Sequence, residues 1–173
     1  MTRMSTEKEA IVGESYYDYE GRPAVNALPS PTFDSKLAFH PQFNLSYVSG
    51  DSYNRTDFDN DPTTACEVDV NPFKNTSGVA KYYSSNNDDV SNRVDGHIPD
   101  AQGYPLTVTE YTPDGTGRIR RQGGVGQEHQ LESDHETRYY YATPTAQELD
   151  RLFGNAVGDS VHYQKEMVVD PNG

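Results

Sequence analysis

The sequence predicts a mainly β fold, a meander of antiparallel hairpins with one short helix at about 144–153. Three observations lead there. Only 33% of the 173 residues are hydrophobic and mean hydropathy is -0.88. That leaves too little apolar surface for helical bundles or coiled coils, and no stretch approaches the roughly 20 apolar residues of a membrane helix. The aromatic content is 13 Tyr and 6 Phe with no Trp. Tyrosine suits half-buried strand faces, where the ring packs and the hydroxyl stays wet. Short β-prone runs are also punctuated by Asp, Gly and Pro in turn-forming order.

Residues 1–13 read as a polar lead-in and 14–173 as a single β-rich segment. Ser15-Tyr16-Tyr17 enters a first hairpin, Asp18-Tyr19-Glu20-Gly21 turns it, and Arg22-Pro23-Ala24-Val25 leaves. Pro23 carries no backbone donor, which places it at a sheet edge or at the entry to a strand. Residues 36–48 hold two short apolar runs split by Pro41. Long polar loops are expected at 49–78 and 85–97, separated by a short strand over Val79-Ala80-Lys81-Tyr82-Tyr83-Ser84.

From residue 104 the strand signal strengthens. Leu106, Val108 and Glu110 alternate with Thr107, Thr109 and Tyr111, the period of two that puts each set on its own face. Arg118-Ile119-Arg120-Arg121 follows a turn, Gly123-Gly124-Val125-Gly126 reads as a flexible bend, and Thr137–Ala142 is a further strand. The helix at 144–153 has a capping Thr143 or Thr145, Pro144 for its first position, and a capping-box spacing between Thr145 and Glu148. Leu149, Leu152 and Phe153 form one apolar face, and Gly154 is placed to stop it. So short a helix does not hold in water by itself, so that face is expected to lie on a sheet. A last strand is expected over about 160–169.

One local pattern recurs: Asp, two residues, Gly. It occurs at Asp18–Gly21, Asp100–Gly103, Asp114–Gly117 and Asp170–Gly173, where random placement at this composition would give roughly one copy. Asp at the first position of a type I turn bonds back to the backbone, and Gly at the last accepts a left-handed geometry. Such turns are expected to join antiparallel strands. Two copies share a longer context, with Tyr17 or Tyr111 before the turn and Arg22 or Arg118 just after it. A Tyr–Arg stack across strands beside the capped turn is the expected purpose.

In this order of Tyr, Asp, Gly, Arg and a closing residue, the chain resembles the Rhs/YD-repeat family, large bacterial Rhs-like toxin-shell or surface proteins. Their repeat reads Tyr-x-Tyr-Asp-x-x-Gly-Arg followed by an apolar residue. Tyr17–Pro23 matches with Pro in the last place, and Tyr111–Ile119 with its first aromatic one place further back. The motifs here are irregularly spaced, which makes this an atypical, non-repetitive segment. The resemblance implies β-ribbons that spiral into a shell or scaffold, in several toxins around an effector. It implies that the partners are the remainder of a larger Rhs-like chain and an encapsulated effector, in a secreted or bacterial cell-surface setting. It implies no catalytic residue. The structural turn residues are then Asp18, Gly21, Arg22, Asp100, Gly103, Asp114, Gly117, Arg118, Asp170 and Gly173.

Lys and Arg total 14 against 27 Asp and Glu, a net charge of -13, and that field repels a polyanion, so nucleic acid is not an expected partner. Asp57, Asp59 and Asp61 alternate as the first ligands of an EF-hand do, but Pro62 and Val68 stand where Gly and the bidentate Glu are required. The loop is then either a solvated acidic stretch or a different Ca²⁺ site using Asp57, Asp59, Asp61 and Glu67. No other cofactor is expected. The spacing of His129 and His135 fits no zincin helix, and the Gly123–Gly126 run fits no dinucleotide loop. Cys66 is the only cysteine, so no internal disulfide forms. The sequons at Asn44, Asn54 and Asn75 read as chance. The rival to the shell reading is a surface ligand-binding or adhesin module with tyrosine platforms. A hydrolase with scattered carboxylates is the third.

Overall fold

Alternating runs with one apolar and one polar face build a sheet that is packed on one side and wet on the other. The computed structural model describes residues 10–32, 38–54, 57, 70–87 and 97–173. In chain order they form β1 (Ile11–Val12), β2 (Ser15–Tyr17), β3 (Pro23–Ala27), β4 (Ser30–Pro31), α1 (Gly78–Tyr82), β5 (Leu106–Tyr111), β6 (Ile119–Gly123), β7 (Thr137–Ala142), α2 (Ala146–Phe153) and β8 (Lys165–Val169). The architecture is mainly β. Six strands make one antiparallel meander in the order β2-β3-β5-β6-β7-β8, and β1 pairs with β4 beside it. Among the described residues, no helix is long and apolar enough to cross a membrane.

The meander is interrupted once, by the excursion of residues 28–105 between β3 and β5, and that excursion supplies the core. Val25 pairs with Val108 and Ala27 with Leu106, so these four side chains share a face. Tyr16, opposite Val25, joins them. Against this face pack Phe73, Val79 and Ala80 from the excursion, with Tyr53, Val70 and Leu131 around the rim. Tyr16 meets Phe73 and Tyr53 edge-on, with ring centroids 6.3 and 5.9 Å apart. Burial pushes the Tyr16 phenol far above its ordinary range, with Glu14 adding to the shift. The opposite face carries Ser15, Asn26, Thr107, Thr109, Gln122 and Thr137, joined by the same register.

Several expected elements are corrected. The strand expected at 79–84 is the helix α1. Tertiary contacts override the β-prone run: the Val79 N–H donates to the Asn44 side-chain oxygen at 3.0 Å, capping the helix from a distant loop. A side chain on Gly78, at φ 52°, would collide with the Phe43 carbonyl oxygen. The helix puts Val79 and Ala80, both fully buried, on the core together, which a strand with a period of two does not do. Asn44 is itself buried and donates to Glu14 Oε2 at 2.7 Å, so that sequon offers no exposed amide for a glycan.

The lead-in contains Ile11–Val12, which form β1; residues 1–9 lie outside the described residues. The last strand covers Lys165–Val169, because Ser160–His162 is a 3₁₀ turn capped by the Asp159 carboxylate on Val161 N. The polar loop at 49–78 is partly bridged, Leu45 to Ser52 and Ser46 to Phe73; residues 55–56 and 58–69, with Cys66, lie outside the described residues. So do 88–96 of the loop at 85–97. Pro23 opens β3 and therefore needs no ladder donor. The bend at Gly123–Gly126 is held by hydrogen bonds, Gly124 N to His129 O at 2.7 Å and the Gln130 amide to Gly124 O at 2.7 Å.

Helix α2 starts on Thr145 with both halves of a capping box, Thr145 Oγ1 accepting from Glu148 N and the Glu148 carboxylate accepting from Thr145 N. Pro144 precedes the cap and so stands two places before Ala146, the first helical residue, instead of taking that position itself. The expected apolar face is only partly covered: Leu149 is buried, while Leu152 is 73% and Phe153 66% exposed.

Candidate functional site

The four Asp-x-x-Gly corners are local in their chemistry, because each Asp is close enough to satisfy its own turn. Asp100, Asp114 and Asp170 each accept from the backbone N–H two residues on, at 2.7, 3.1 and 2.8 Å. Asp18 instead accepts from Arg22 N at 2.8 Å. Gly21 and Gly117, at φ 80° and 71°, take the left-handed geometry that closes the two hairpins.

Their placement in the sheet differs. In an antiparallel meander successive connections alternate between the two ends. The Asp18 corner joins β2 to β3 and the Asp114 corner joins β5 to β6, so both lie at one end. The link 143–164, which contains α2, stands at that end in the place of a third corner. Asp170–Gly173 follows β8 at the other end, where Pro171 O meets His135 Nδ1 at 3.1 Å. The expectation that every corner joins two strands is corrected at Asp100–Gly103. That turn lies in the run-in to β5 and is tied to the excursion, with Phe73 N donating to Gly103 O at 2.7 Å and Ala101 N to Tyr83 O at 2.9 Å.

The arginines that follow the two hairpin corners do not stack on the tyrosines that precede them. Arg22 lies 4.3 Å over the ring of Tyr111, the tyrosine of the next hairpin. Arg118 in turn lies 5.1 Å over Tyr141, the tyrosine of the hairpin after that. The topology forces this. The second strand of each hairpin pairs with the first strand of the next, β3 with β5 and β6 with β7, so an Arg entering one strand faces the Tyr leaving its neighbour. The result is a relay of cation–π contacts that runs across the sheet and links successive hairpins.

The two links are held differently. The Arg22 guanidinium is anchored by Asp18 Oδ2 at 2.6 Å and Glu20 Oε2 at 2.7 Å, and the Tyr111 hydroxyl donates to Pro23 O at 3.1 Å. Burial raises the Tyr111 phenol above its ordinary range, the Asp18 charge adds to this and Arg22 offsets part of it, so the proton that bond needs is retained. The Asp114 carboxylate is occupied by Thr116 and Thr112 hydroxyls at 2.6 and 2.7 Å. These bonds hold its pKa down at about 2, and the nearby Arg118 charge adds a smaller part.

Beneath the relay sits a charged cluster that the sequence reading missed. Glu110 is fully buried. It accepts from Arg121 at both oxygens, at 2.6 and 3.2 Å, and pairs with Arg120 Nη1 at 2.9 Å. Two consecutive arginines reach one carboxylate because the register slips between Glu110 and Tyr111, leaving Arg120 as the extra residue of a bulge. Buried Glu136 accepts from Arg138 Nε at 2.9 Å, and Asp134 accepts from the same guanidinium at 2.7 Å. Burial pushes Glu136 upward, but the bonds from Arg138 and the backbone outweigh it and hold the carboxyl below its usual range. The signal was in the sequence: Glu110 continues the alternation of Leu106 and Val108, so it had to face the core, and Arg120-Arg121 supplied the counter-charge.

Of the acidic-loop residues, Asp57 is described, its Oδ2 accepting from Asn54 N at 2.7 Å. Asp59, Asp61 and Glu67 lie outside the described residues. His40 leans on Phe43 and His129 on His135, with centroids 6.3 and 6.2 Å apart. His97 is exposed, and His162 closes the 3₁₀ turn. No protein-family model, no curated protein and no solved structure matches the chain.

Proposed function

We propose that this chain is a non-enzymatic structural segment of a secreted or bacterial-surface Rhs-like protein, forming part of a β-shell or scaffold of the kind that encloses a toxin. The observation that carries the reading is the relay: the motif arginine of one hairpin stacks on a tyrosine near the end of the next hairpin's first strand, twice in succession, at the motif tyrosine Tyr111 and then at Tyr141, which precedes no Asp-x-x-Gly corner. A contact of that form has no use inside a lone hairpin. It repeats only where hairpins are laid side by side into a continuous wall, each burying its face against its neighbours.

A second observation supports the reading. The last hairpin, β7–β8, leaves Met167, Val168 and Val169 between 37% and 58% exposed, and Leu152 and Phe153 of α2 are exposed as well. An apolar edge strand of this kind is normally covered by further protein.

The test is a pair of double-mutant cycles, Arg22→Met with Tyr111→Leu and Arg118→Met with Tyr141→Leu, read by urea unfolding. Coupling of about 0.5–1 kcal/mol in each pair is expected. Strict additivity in both would remove the relay as a structural device and the proposal with it. The family assignment is tested separately by the coding sequence that adjoins residues 1–173, where regular Tyr–Asp motifs are the expected finding.

A further inference from the structure

The face of the sheet turned away from the core carries a second feature that a wall does not require. A cavity of about 520 Å³ opens on it, floored by β3, β5, β6 and β7 and walled by the loop that bears His129 and His135. That is within the range of small-molecule sites. No carboxylate, ammonium or guanidinium lines it; the lining is made of side-chain amides, threonine hydroxyls, imidazoles, glycines, a valine and a proline. On a chain with a net charge of -13, this is a neutral, hydrogen-bonding patch.

The polar groups on the floor are oriented. Ser15 Oγ donates to Asn26 Oδ1 at 2.8 Å, and the Tyr139 hydroxyl donates to Gln122 Oε1 at 2.7 Å. Each carboxamide is thus tethered through its oxygen, and each presents its NH₂ group as a donor. His135 Nδ1 lies 3.1 Å from Pro171 O. A carbonyl only accepts, so in the neutral ring that nitrogen holds the proton and Nε2 is an acceptor. Between these fixed groups stand the hydroxyls of Thr107, Thr109 and Thr137, which both donate and accept. The perpendicular pair of His129 and His135 rings adds flat faces at the wall.

From this arrangement we infer that the cavity binds a neutral carbohydrate of about disaccharide size. A carboxylate or phosphate ligand would meet no cation there and would be repelled by the whole molecule. A cationic ligand would meet no carboxylate. An apolar ligand would bury two amides and three hydroxyls without partners, which is costly. A neutral polyol supplies donors and acceptors to all of them, and its C–H faces pack on the imidazoles. The inference stands independently of the wall reading, since it uses none of the relay residues.

The test is saturation-transfer and amide proton–nitrogen correlation NMR on the 173-residue chain with maltose, cellobiose and diacetylchitobiose at millimolar concentration, and with sialyllactose as the anionic arm. Saturation transfer to at least one of the three neutral sugars is expected, with amide shifts centred on Thr107, Gln122 and Thr137. Gln122→Ala, and the isosteric Thr107→Val that guards against misfolding, should each weaken binding roughly three- to tenfold, the worth of a hydrogen bond. Their melting curves should stay close to wild type. Absence of transfer to all three neutral sugars overturns the inference. So does stronger binding of the anionic sugar, or shifts that leave the cavity untouched. So does wild-type affinity in both variants.

Discussion

The part of the sheet made by β2, β3 and β5 and the part made by β7 and β8 are joined by the same antiparallel ladder, yet they stand in opposite relation to water. In the first, Tyr16, Val25, Leu106 and Val108 are at most 7% exposed, sealed by Phe73 and α1 from the excursion. In the second, Met167, Val168 and Val169 are partly exposed. What holds β8 in place is the ladder to β7, five residue pairs long, and the ion pair from Lys165 Nζ to Glu148 Oε1 at 2.5 Å. Hydrogen bonds fix where a strand goes; burial decides how firmly it stays, because a backbone bond is nearly offset by the water it displaces while apolar area removed from water is a clear gain. One half of the sheet is therefore a folded core. The other is a ledge whose apolar side chains stay partly exposed.

The contrast can be broken at the core. Phe73→Ala empties the middle of the packed half and should cost about 3–5 kcal/mol in urea unfolding. Leu152→Ala, at a 73% exposed site, should change stability by no more than about 0.5 kcal/mol. Equal costs would show that the ledge is packed after all. Next in size is Glu110→Gln, which takes the carboxylate from Arg120 and leaves Arg121 with only the longer contacts to Glu132 and Glu136, at 3.7 and 4.0 Å. A loss of about 3 kcal/mol is expected, with little recovered by adding Arg120→Gln alone, since Arg121 carries the two-point contact.

The ledge can be probed by its own cap. Thr145→Ala removes half of the capping box and should cost about 1 kcal/mol, seen as faster hydrogen exchange in α2 and β8 with β5 unaffected. In the wild type the amides of β8 are expected to exchange well before those of β5, in keeping with local opening where few apolar contacts are buried.

The smallest effect is one of pH. Asp114 and Glu148 have carboxyl pKa values lowered to about 2, the first by the Thr116 and Thr112 hydroxyls, the second by Lys165 and Thr145. A carboxyl whose folded pKa lies below its unfolded value of about 4 adds stability that is complete above that value and is lost as pH falls towards 2. Carboxyl-carbon NMR titration should place both midpoints near 2. Lys165→Met should raise that of Glu148 and leave that of Asp114 where it is.

How much of this was legible depended on range. The strands at 106–111 and 137–142 and the capped helix were readable because alternation, a threonine cap and a stop glycine are contacts within a few residues. Asp bonding back into each corner was readable for the same reason. The Val79–Ser84 run was misread because its helix is capped by Asn44, thirty-five positions away, and composition around residue 79 carries no trace of that partner. Leu152 and Phe153 were expected to lie on the sheet, and the pattern was real, but a pattern names a face without supplying what covers it. Glu110 was the avoidable miss, since it sat in an alternation already noticed.

By itself, the sequence determined a mainly β chain, its two hairpin corners and the tyrosine–arginine pairs that flank them, because each follows from side-chain chemistry acting over one turn of chain. Which arginine meets which tyrosine was decided only by tertiary structure. A hairpin cannot specify its neighbour, and strand order across the meander delivers Arg22 to Tyr111 and Arg118 to Tyr141. The same strand order gathers amides and hydroxyls from four strands into one neutral cavity, which no single stretch of the chain contains.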